Sequence, residues 1–244
     1  MYFEEYGDRK NTTIVMIHGM NLVHTFVRQY VLADRYHIIV PHITGYGREA
    51  ETVFTTQKAV ADIVEIIRNQ NKKIILIGFS LGAQLAFRIA VETPELLHGA
   101  ILVSPWLIKE KKDVEEVIKL NEKPYHMLQK KWFCTIVGML NGLPSKQRNE
   151  FVEYMQKVQL ETIRNSVDNG ITLASAPEFK ENSVPILAIA GKKEQDVMKQ
   201  SVIELAANNP NCKYEIWEKA AHNIPPVFAK RFNEIIVEFT GEVS

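Results

Sequence analysis

Cysteine is scarce in this chain, which has 244 residues and only two cysteines, Cys134 and Cys212. The two are far apart and match no spacing typical of zinc ligands, so neither a disulfide framework nor a zinc motif is indicated. The first six residues, MYFEEY, are acidic and lack the apolar core of a secretory signal. We therefore expect a cytoplasmic protein with reduced thiols and no bound metal.

The chain also lacks an excess of either charge and any long apolar run. Lysine plus arginine and aspartate plus glutamate both number 29, which gives a formal net charge of zero. This balance favours neither nucleic acid nor an anionic membrane as a partner, and no apolar run approaches the roughly 20 residues of a membrane span. We expect a small-molecule substrate and no cofactor, while the oligomeric state is not indicated.

What the chain does contain is a strand followed at once by the motif Gly-x-Ser-x-Gly. Residues 74–77, IILI, are typical of a strand buried on both faces. The motif itself, GFSLG, covers residues 78–82 with Ser80 at its centre, and small and aliphatic residues recur at helical spacing after it. A serine on a tight turn between a strand and a helix is exposed at the helix head, where its hydroxyl serves as a nucleophile.

A second interpretation of this turn is a phosphate-binding helix head. A phosphate loop would be richer in glycine or end in lysine, and the dinucleotide pattern GxGxxG is absent from the chain. The five-residue motif alone arises by chance in roughly one chain in ten of this length. We therefore favour a nucleophile over a phosphate-binding turn because the motif lies between a predicted strand and a predicted helix.

Strand-like and helix-like segments alternate along most of the chain, a pattern typical of a mostly parallel sheet with helices on both faces. Residues 107–180 differ, because they are charged, helix-favouring and show no clear strand. We expect an α/β core domain formed by residues 1–106 and 181–244, with residues 107–180 as a helical lid. Besides the strand at 74–77, strands are predicted at residues 2–6, 13–17, 37–40, 100–104, 184–191 and 213–217, and core helices at residues 22–35, 52–69 and 226–239.

A serine hydroxyl is a weak nucleophile until a base takes its proton and an acid orients that base. His222 follows the last predicted strand and is the candidate base, the alternative being that it satisfies its own loop. The loop after residues 186–190 offers two carboxylates, Glu194 and Asp196. We favour Glu194 as the acid, because Asp196 stands directly before a helical segment and would cap it. Residues 103–106, VSPW, offer no carboxylate.

Attack on a carbonyl also requires donors for the developing oxyanion. We expect the backbone N–H groups of Leu81, at the helix head, and of Met20, in the loop after His18-Gly19, to serve as these donors. Met20 would also present its thioether to the substrate, and His18 is expected to hold the loop by hydrogen bonds. For His24 a solvated surface position is favoured over the alternative that it reaches the mouth of the pocket. His37, His42, His98 and His126 are expected at the surface or in loops.

With these residues in place, the chain resembles the α/β-hydrolase superfamily. The resemblance rests on His18-Gly19, the Gly78–Gly82 turn, the Gly191-x-x-Glu194 loop and His222, and it covers nearly the whole chain outside the lid. It implies a mostly parallel eight-stranded sheet with a helical cap inserted after the sixth strand. It also implies acyl-enzyme chemistry at Ser80.

Two departures from the superfamily pattern narrow this resemblance. The acid position is glutamate where most relatives of this type have aspartate, which weakens the assignment of Glu194. The loop after His18-Gly19 lacks the extra glycines of carboxylesterases and lipases with a His-Gly-Gly-Gly motif, so the chain is more similar to the smaller, capped esterase-like hydrolases. Epoxide hydrolases and haloalkane dehalogenases look alike but have aspartate where this chain has Ser80.

The sequence therefore predicts a serine hydrolase that cleaves a carboxylic ester of a small to medium apolar substrate, with a thioester or a carbon–carbon bond as other possible targets. Ser80 would attack, His222 would accept its proton, and Glu194 would orient His222. An acyltransferase with the same three residues, or a ligand-binding receptor of the same fold without catalysis, remains an alternative. The substrate is not indicated, because its specificity is expected to depend on the lid.

Overall fold

The computed structural model describes residues 1–243 and contains a seven-stranded sheet with helices on both faces. The strands are β1 (Phe3–Tyr6), β2 (Thr13–Ile17), β3 (His37–Pro41), β4 (Ile74–Phe79), β5 (Leu97–Val103), β6 (Ile186–Gly191) and β7 (Cys212–Trp217). They lie side by side in the order β1-β3-β2-β4-β5-β6-β7. Every neighbouring pair is parallel except β1 with β3. The predicted mostly parallel α/β fold is confirmed.

The strand count differs from the eight that the resemblance implied. β1 pairs with β3 in antiparallel register, and no strand of residues 1–243 pairs with its outer side. All four β1 residues are only half-buried, as expected for an edge strand. In the described chain, β1 is therefore the antiparallel edge strand of a seven-stranded sheet, and the implied number of eight strands is wrong.

The central strands are buried on both faces of the sheet. Along β2, Ile14 and Met16 pack into one hydrophobic cluster, whereas Val15 and Ile17 pack into the other. All residues of β2 and β4 are buried, which explains why these strands are almost continuously apolar rather than alternating. The carboxyl ends of the parallel strands meet at one edge of the sheet, which is where open α/β sheets bind their ligands.

Five α-helices belong to the core: α1 (Thr56–Arg68), α2 (Leu81–Glu92), α8 (Asp196–Asn208), α9 (Ile224–Val227) and α10 (Ala229–Val243). The prediction of one helix over residues 22–35 is wrong, since two short 3-10 helices, Val23–Phe26 and Tyr30–Asp34, occupy this segment. His24 leaves helical geometry, and the Thr25 hydroxyl donates to the Leu22 carbonyl. Such local side-chain bonds compete with regular helix formation.

Residues 107–180, called the insert below, connect β5 to β6. The insert therefore follows the fifth strand and not the sixth strand that the resemblance implied. The described residues of the insert contain five α-helices and no strand: α3 (Lys111–Glu122), α4 (Tyr125–Leu128), α5 (Lys131–Leu140), α6 (Ser145–Met155) and α7 (Leu160–Val167). Helix α5 leaves large apolar side chains exposed, among them Trp132 and Leu140. Within residues 1–243, no helix combines the length and the apolar character that crossing a membrane would require.

Candidate active site

Ser80 occupies the turn between β4 and α2, and its backbone is strained. Its φ and ψ of 54° and −116° lie in a region that non-glycine residues rarely adopt. The Ser80 N–H donates to the Val103 carbonyl at the end of β5, at 2.8 Å. The turn is thus tied to the neighbouring strand, which holds the Ser80 hydroxyl at the carboxyl edge of the sheet.

Glycine is required on both sides of this serine. A Cβ on Gly78 would lie 2.2 Å from the Gly82 carbonyl oxygen, and one on Gly82 would lie 2.0 Å from the Ile17 carbonyl oxygen. Both distances are far below van der Waals contact, so no side chain fits at either position. The motif therefore reflects the close approach of α2 to β4 and β2.

The structure places His222 directly against Ser80. His222 follows β7, and its Nε2 lies 3.1 Å from the Ser80 Oγ. On the other side of the ring, Nδ1 lies 2.9 Å from Glu194 Oε2. The ring packs beside Phe79, with the ring centroids 5.0 Å apart. A hydroxyl, an imidazole and a carboxylate are therefore connected by two consecutive hydrogen bonds.

The Glu194 side chain is only 1% exposed and is surrounded by donors. Besides His222, the Gly191 N–H and the Ser104 hydroxyl each donate to Glu194 Oε1 at 2.7 Å. Burial alone would raise the pKa of Glu194, but these hydrogen bonds and the His222 charge outweigh it and lower the pKa below its usual value. Glu194 therefore stays a carboxylate at neutral pH.

Asp196, the other candidate acid, lies outside this arrangement. Its side chain is 98% exposed and forms an ion pair with Lys199. It is the first residue of α8 rather than the residue before it. Of the two carboxylates in this loop, the structure brings only Glu194 to His222.

Ser104 is a site residue that sequence reasoning missed. It follows β5 with a φ of 53°, a second strained non-glycine residue, and its hydroxyl holds Glu194 Oε1. Residues 103–106 contain no carboxylate, so their sequence alone did not indicate a place in the site. The position of Ser104 could have indicated this role. Ser104 follows β5 and Glu194 follows β6, and the carboxyl ends of neighbouring parallel strands lie side by side.

The loop after β2 lies against Ser80. A Cβ on Gly19 would lie 3.3 Å from the Ser80 Cβ. His18 holds the loop, since its Nε2 accepts from the Ile43 N–H at 3.1 Å and its Nδ1 lies 2.6 Å from the Gly19 carbonyl oxygen. Burial lowers the pKa of His18 to about 3, so the ring is neutral and, donating through Nδ1 and accepting through Nε2, serves both contacts.

The two predicted oxyanion donors are unengaged within the described chain. Neither the Met20 N–H nor the Leu81 N–H donates to a protein acceptor within residues 1–243. For Leu81 this follows from its position at the start of α2, where helical N–H groups have no internal partner. Both residues line the same cavity as Ser80.

A cavity of about 660 Å³ extends from Ser80 between the core and the insert. Two polar atoms in its wall, Trp106 Nε1 and Asn21 Oδ1, are buried without a hydrogen-bond partner in the described chain. Of the aromatic side chains in residues 106–180, Trp106 and Phe151 line the cavity. The apolar lining residues are Met20, Leu22, Phe79, Leu81, Trp106, Val117, Leu120, Leu128, Val137, Phe151, Val167, Met198 and Ala221.

A polar network backs one wall of the cavity. The Gln84 side chain lines the cavity and accepts hydrogen bonds from Lys109 Nζ at 2.6 Å and from Asn169 Nδ2 at 2.9 Å. Burial lowers the pKa of Lys109 to about 7. This lysine is engaged behind the wall and is not among the residues that line the cavity.

Three histidines expected at the surface are instead buried. His24, His37 and His42 are 2%, 0% and 0% exposed, so the expected surface position is wrong for all three, although His42 does lie in a loop after β3. His37 lies on β3 between Thr13 and Glu5, whose side chains contact its two ring nitrogens. Buried histidines need polar partners, and these partners are distant in sequence.

Comparison with known proteins places this architecture in a family. The model of the alpha/beta hydrolase family matches residues 14–235. An uncharacterized hydrolase of Bacillus subtilis strain 168, YugF, is 25% identical over an alignment of 258 residues that covers 98% of this chain and 93% of the relative. A pimeloyl-[acyl-carrier protein] methyl ester esterase of Aeromonas hydrophila is 23% identical, with 98% of each chain covered.

Solved structures show the same fold. An esterase from Exiguobacterium antarcticum, EaEST, superposes with a TM-score of 0.77 at 19% identity, and the match covers 98% of this chain and 94% of the esterase. MenH from S. aureus superposes with a TM-score of 0.76 at 20% identity, with 98% of each chain covered. At these sequence identities, the structural similarity shows a shared fold and nothing more.

Proposed function

The chain belongs to the alpha/beta hydrolase family, and we propose that it is a serine hydrolase that cleaves a carboxylic ester through an acyl-enzyme on Ser80. The observation that carries this proposal is the pair of hydrogen bonds from Ser80 through His222 to Glu194. Nucleophile, base and orienting acid stand in this order in triad hydrolases. The relatives support hydrolysis as the reaction class, and the residue roles are our own assignment.

In the proposed acylation, the Ser80 Oγ attacks the ester carbonyl carbon while His222 Nε2 takes the hydroxyl proton. Glu194 accepts a hydrogen bond from the Nδ1–H group of His222. This bond fixes the tautomer of the ring and stabilises the imidazolium. The carbonyl oxygen becomes an oxyanion that the Met20 and Leu81 N–H groups would bind. Collapse of the tetrahedral intermediate breaks the ester C–O bond, and the imidazolium passes its proton to the departing alcohol.

In the second half of the reaction, water replaces the alcohol. His222 takes a proton from this water, the hydroxide attacks the acyl carbon, and the proton then returns to the Ser80 oxygen as the acid leaves. The net reaction adds one water to one ester and restores the enzyme. An alcohol in place of the water would make the same site an acyltransferase.

The cavity supports a medium-sized, mainly apolar substrate. Its volume of about 660 Å³ lies in the range of small-molecule sites. We infer that the insert acts as a lid, because its residues line the cavity opposite the core. A cytoplasmic location is supported by two buried, free thiols.

A series of p-nitrophenyl esters from acetate to decanoate tests the proposal. The wild-type enzyme should hydrolyse members of the series with a preferred chain length, while Ser80→Ala should lose almost all activity above background. Repeating the assay with added methanol, and quantifying methyl ester against free acid, separates hydrolysis from acyl transfer. Full activity of Ser80→Ala on every ester would refute the proposed nucleophile.

A further inference from the structure

A second cluster of histidine and carboxylate side chains lies where the insert meets the core. Glu4 comes from β1, His24 from the 3-10 helix after β2, and Glu150 from α6 of the insert. The His24 side chain is 1% exposed, and those of Glu4 and Glu150 are 15% and 21% exposed. The proposed ester chemistry uses none of these residues.

The ligand atoms of this cluster face one another without forming ordinary hydrogen bonds. His24 Nε2 lies 2.8 Å from Glu150 Oε2 and 4.0 Å from Glu4 Oε1, and all three atoms lie within 4.8 Å of one another. Yet His24 Nε2 and Glu150 Oε2 are both buried without a hydrogen-bond partner in residues 1–243. A distance of 2.8 Å is short enough for a hydrogen bond. The bond is therefore missing because the angle between the two groups is unfavourable.

The charge of the cluster is also uncompensated. In the described chain, no lysine or arginine nitrogen lies within 4.0 Å of the Glu4 or Glu150 carboxylate. The nearby Arg48 guanidinium instead stacks over the Tyr2 ring at 4.1 Å. Two imidazoles, His24 and His42, face the two carboxylates, so the cluster keeps a net negative charge unless both rings are protonated. Partly buried negative charge is costly unless a cation balances it.

We propose that Glu4, His24 and Glu150 bind a divalent transition-metal ion, with Zn²⁺ as the best match. Zinc accepts histidine nitrogen and carboxylate oxygen at about 2.0–2.2 Å in a tetrahedron, which separates ligand atoms by roughly 3.3 Å. The observed 2.8 and 4.0 Å bracket that value. Magnesium and calcium prefer all-oxygen sites, so the imidazole argues against them. Water would complete the fourth position.

The Tyr6 hydroxyl orients one ligand of the cluster, because it donates to Glu4 Oε2. Partners of this kind fix the direction of metal-binding side chains. His42 Nδ1 accepts from the Arg48 N–H at 3.0 Å, so in the neutral ring the hydrogen is on Nε2. That nitrogen lies 3.4 Å from Glu4 Oε1 but is buried without a hydrogen-bond partner in residues 1–243.

A metal ion at this point would tie the insert to the core. Glu150 is on α6, whereas Glu4 and His24 belong to the sheet and to the segment after the Met20 loop. We therefore expect the ion to stabilise the folded chain by binding it and not the unfolded chain. The sequence led us to expect no bound metal. Glu4, His24 and Glu150 are far apart along the chain, so no motif indicates that they form a cluster.

Zinc binding by untagged, chelator-treated protein tests this site. Isothermal titration with ZnSO₄ should show about one equivalent bound with a dissociation constant near or below about 1 μM. The melting temperature should rise by about 5 °C or more at a hundredfold excess of zinc over that constant. Cobalt added to wild-type protein should give the absorption bands of a four-coordinate ion, a readout that needs no variant.

Glu150→Gln and His24→Gln should each weaken zinc binding by at least about 100-fold. Glu153→Gln changes an exposed carboxylate on the same helix and should bind as the wild type does. Glu150→Cys supplies another zinc ligand and should retain tight binding. Wild-type protein that binds no zinc or cobalt would overturn the proposal, as would equal binding by Glu150→Gln, which would place the ion elsewhere.

Discussion

Two histidine–carboxylate contacts of nearly equal length lie in different parts of this molecule. His222 Nδ1 is 2.9 Å from Glu194, and His24 Nε2 is 2.8 Å from Glu150. The first is an aligned hydrogen bond in which the carboxylate accepts from three donors. In the second, both atoms are buried without a hydrogen-bond partner within residues 1–243.

The difference shows that alignment and surroundings, rather than distance, decide what such a pair does. Glu194 is fully satisfied and therefore stays ionised and fixed, as the orienting acid of a proton relay must be. Glu150 and His24 are not satisfied by the protein, which is the condition under which an added cation stabilises a cluster. Four predictions sharpen this contrast, beginning with the largest effect.

Removal of the His222 imidazole should abolish the relay. We expect His222→Gln to lower kcat/KM for the best ester by about 10³- to 10⁶-fold, because the base and nucleophile act as a unit. His126→Gln, which changes an exposed histidine of the insert, should stay within about twofold of wild type. Steady-state kinetics on both variants provide the measurement. A His222→Gln enzyme with more than a tenth of the wild-type rate would contradict the assignment of His222 as the base. The contrast between its carboxylate contact and that of His24 would then have no catalytic meaning.

Neutralising the acid should have the next largest effect. Glu194→Gln keeps the shape of the side chain but not its charge, and we expect kcat to fall by about 10³- to 10⁴-fold. Asp196→Asn neutralises the exposed neighbour and should change kcat by less than about twofold. The same ester assay compares them. The reverse order of the two losses would transfer the acid role to Asp196.

Loss of the Ser104 hydroxyl should have a moderate effect that passes through Glu194. A hydrogen bond to a buried carboxylate contributes about 1.5 kcal/mol, so we expect Ser104→Ala to lower kcat about tenfold with KM unchanged. Ser104→Gly also removes the hydroxyl but relieves the positive φ. Equal losses of kcat in both variants, with a higher melting temperature for glycine, would assign the effect to the hydroxyl. Wild-type kcat in both would show that Ser104 does not position Glu194.

The smallest effect is a dependence of stability on pH. The pKa of Glu194 is lowered in the folded state from its usual 4.5, so its contribution to stability is complete above pH 4.5 and disappears as pH falls through the lowered value. The melting temperature of Ser104→Ala should therefore lie about 2–4 °C below wild type at neutral pH. This gap should narrow in acid, where Glu194 is protonated in both proteins. Thermal denaturation followed by circular dichroism checks it, and a gap that stays constant down to the lowest pH at which both proteins fold would contradict the assigned cause.

The sheet and the meeting of Ser80, His222 and Glu194 could be predicted because each depends on local pattern. Runs such as IILI at 74–77 indicate buried strands, and buried parallel strands align their carboxyl ends. Residues placed directly after those strands are then brought to one edge without knowledge of any other contact. The strain at Ser80 and the need for Gly78 and Gly82 follow from the same local geometry.

What the sequence did not predict depends on partners from distant segments. His24 and His42 are buried against Glu4 from the edge strand and Glu150 from the insert, and no local pattern connects these four residues. Ser104 likewise acquires its contact only when β5 and β6 lie side by side. The roles of Met20, Leu81 and the lid stay predictions, because they concern a bound substrate.

The central claim is that the Ser80 oxygen forms a covalent acyl-enzyme, and a fluorophosphonate probe tests it most directly. We predict one probe adduct per wild-type chain by intact mass, located on the peptide that contains Ser80, and none on Ser80→Ala. His222→Gln should label far more slowly than His126→Gln, because the probe needs the activated hydroxyl. Wild-type protein that does not label, or Ser80→Ala that labels equally, would contradict the account.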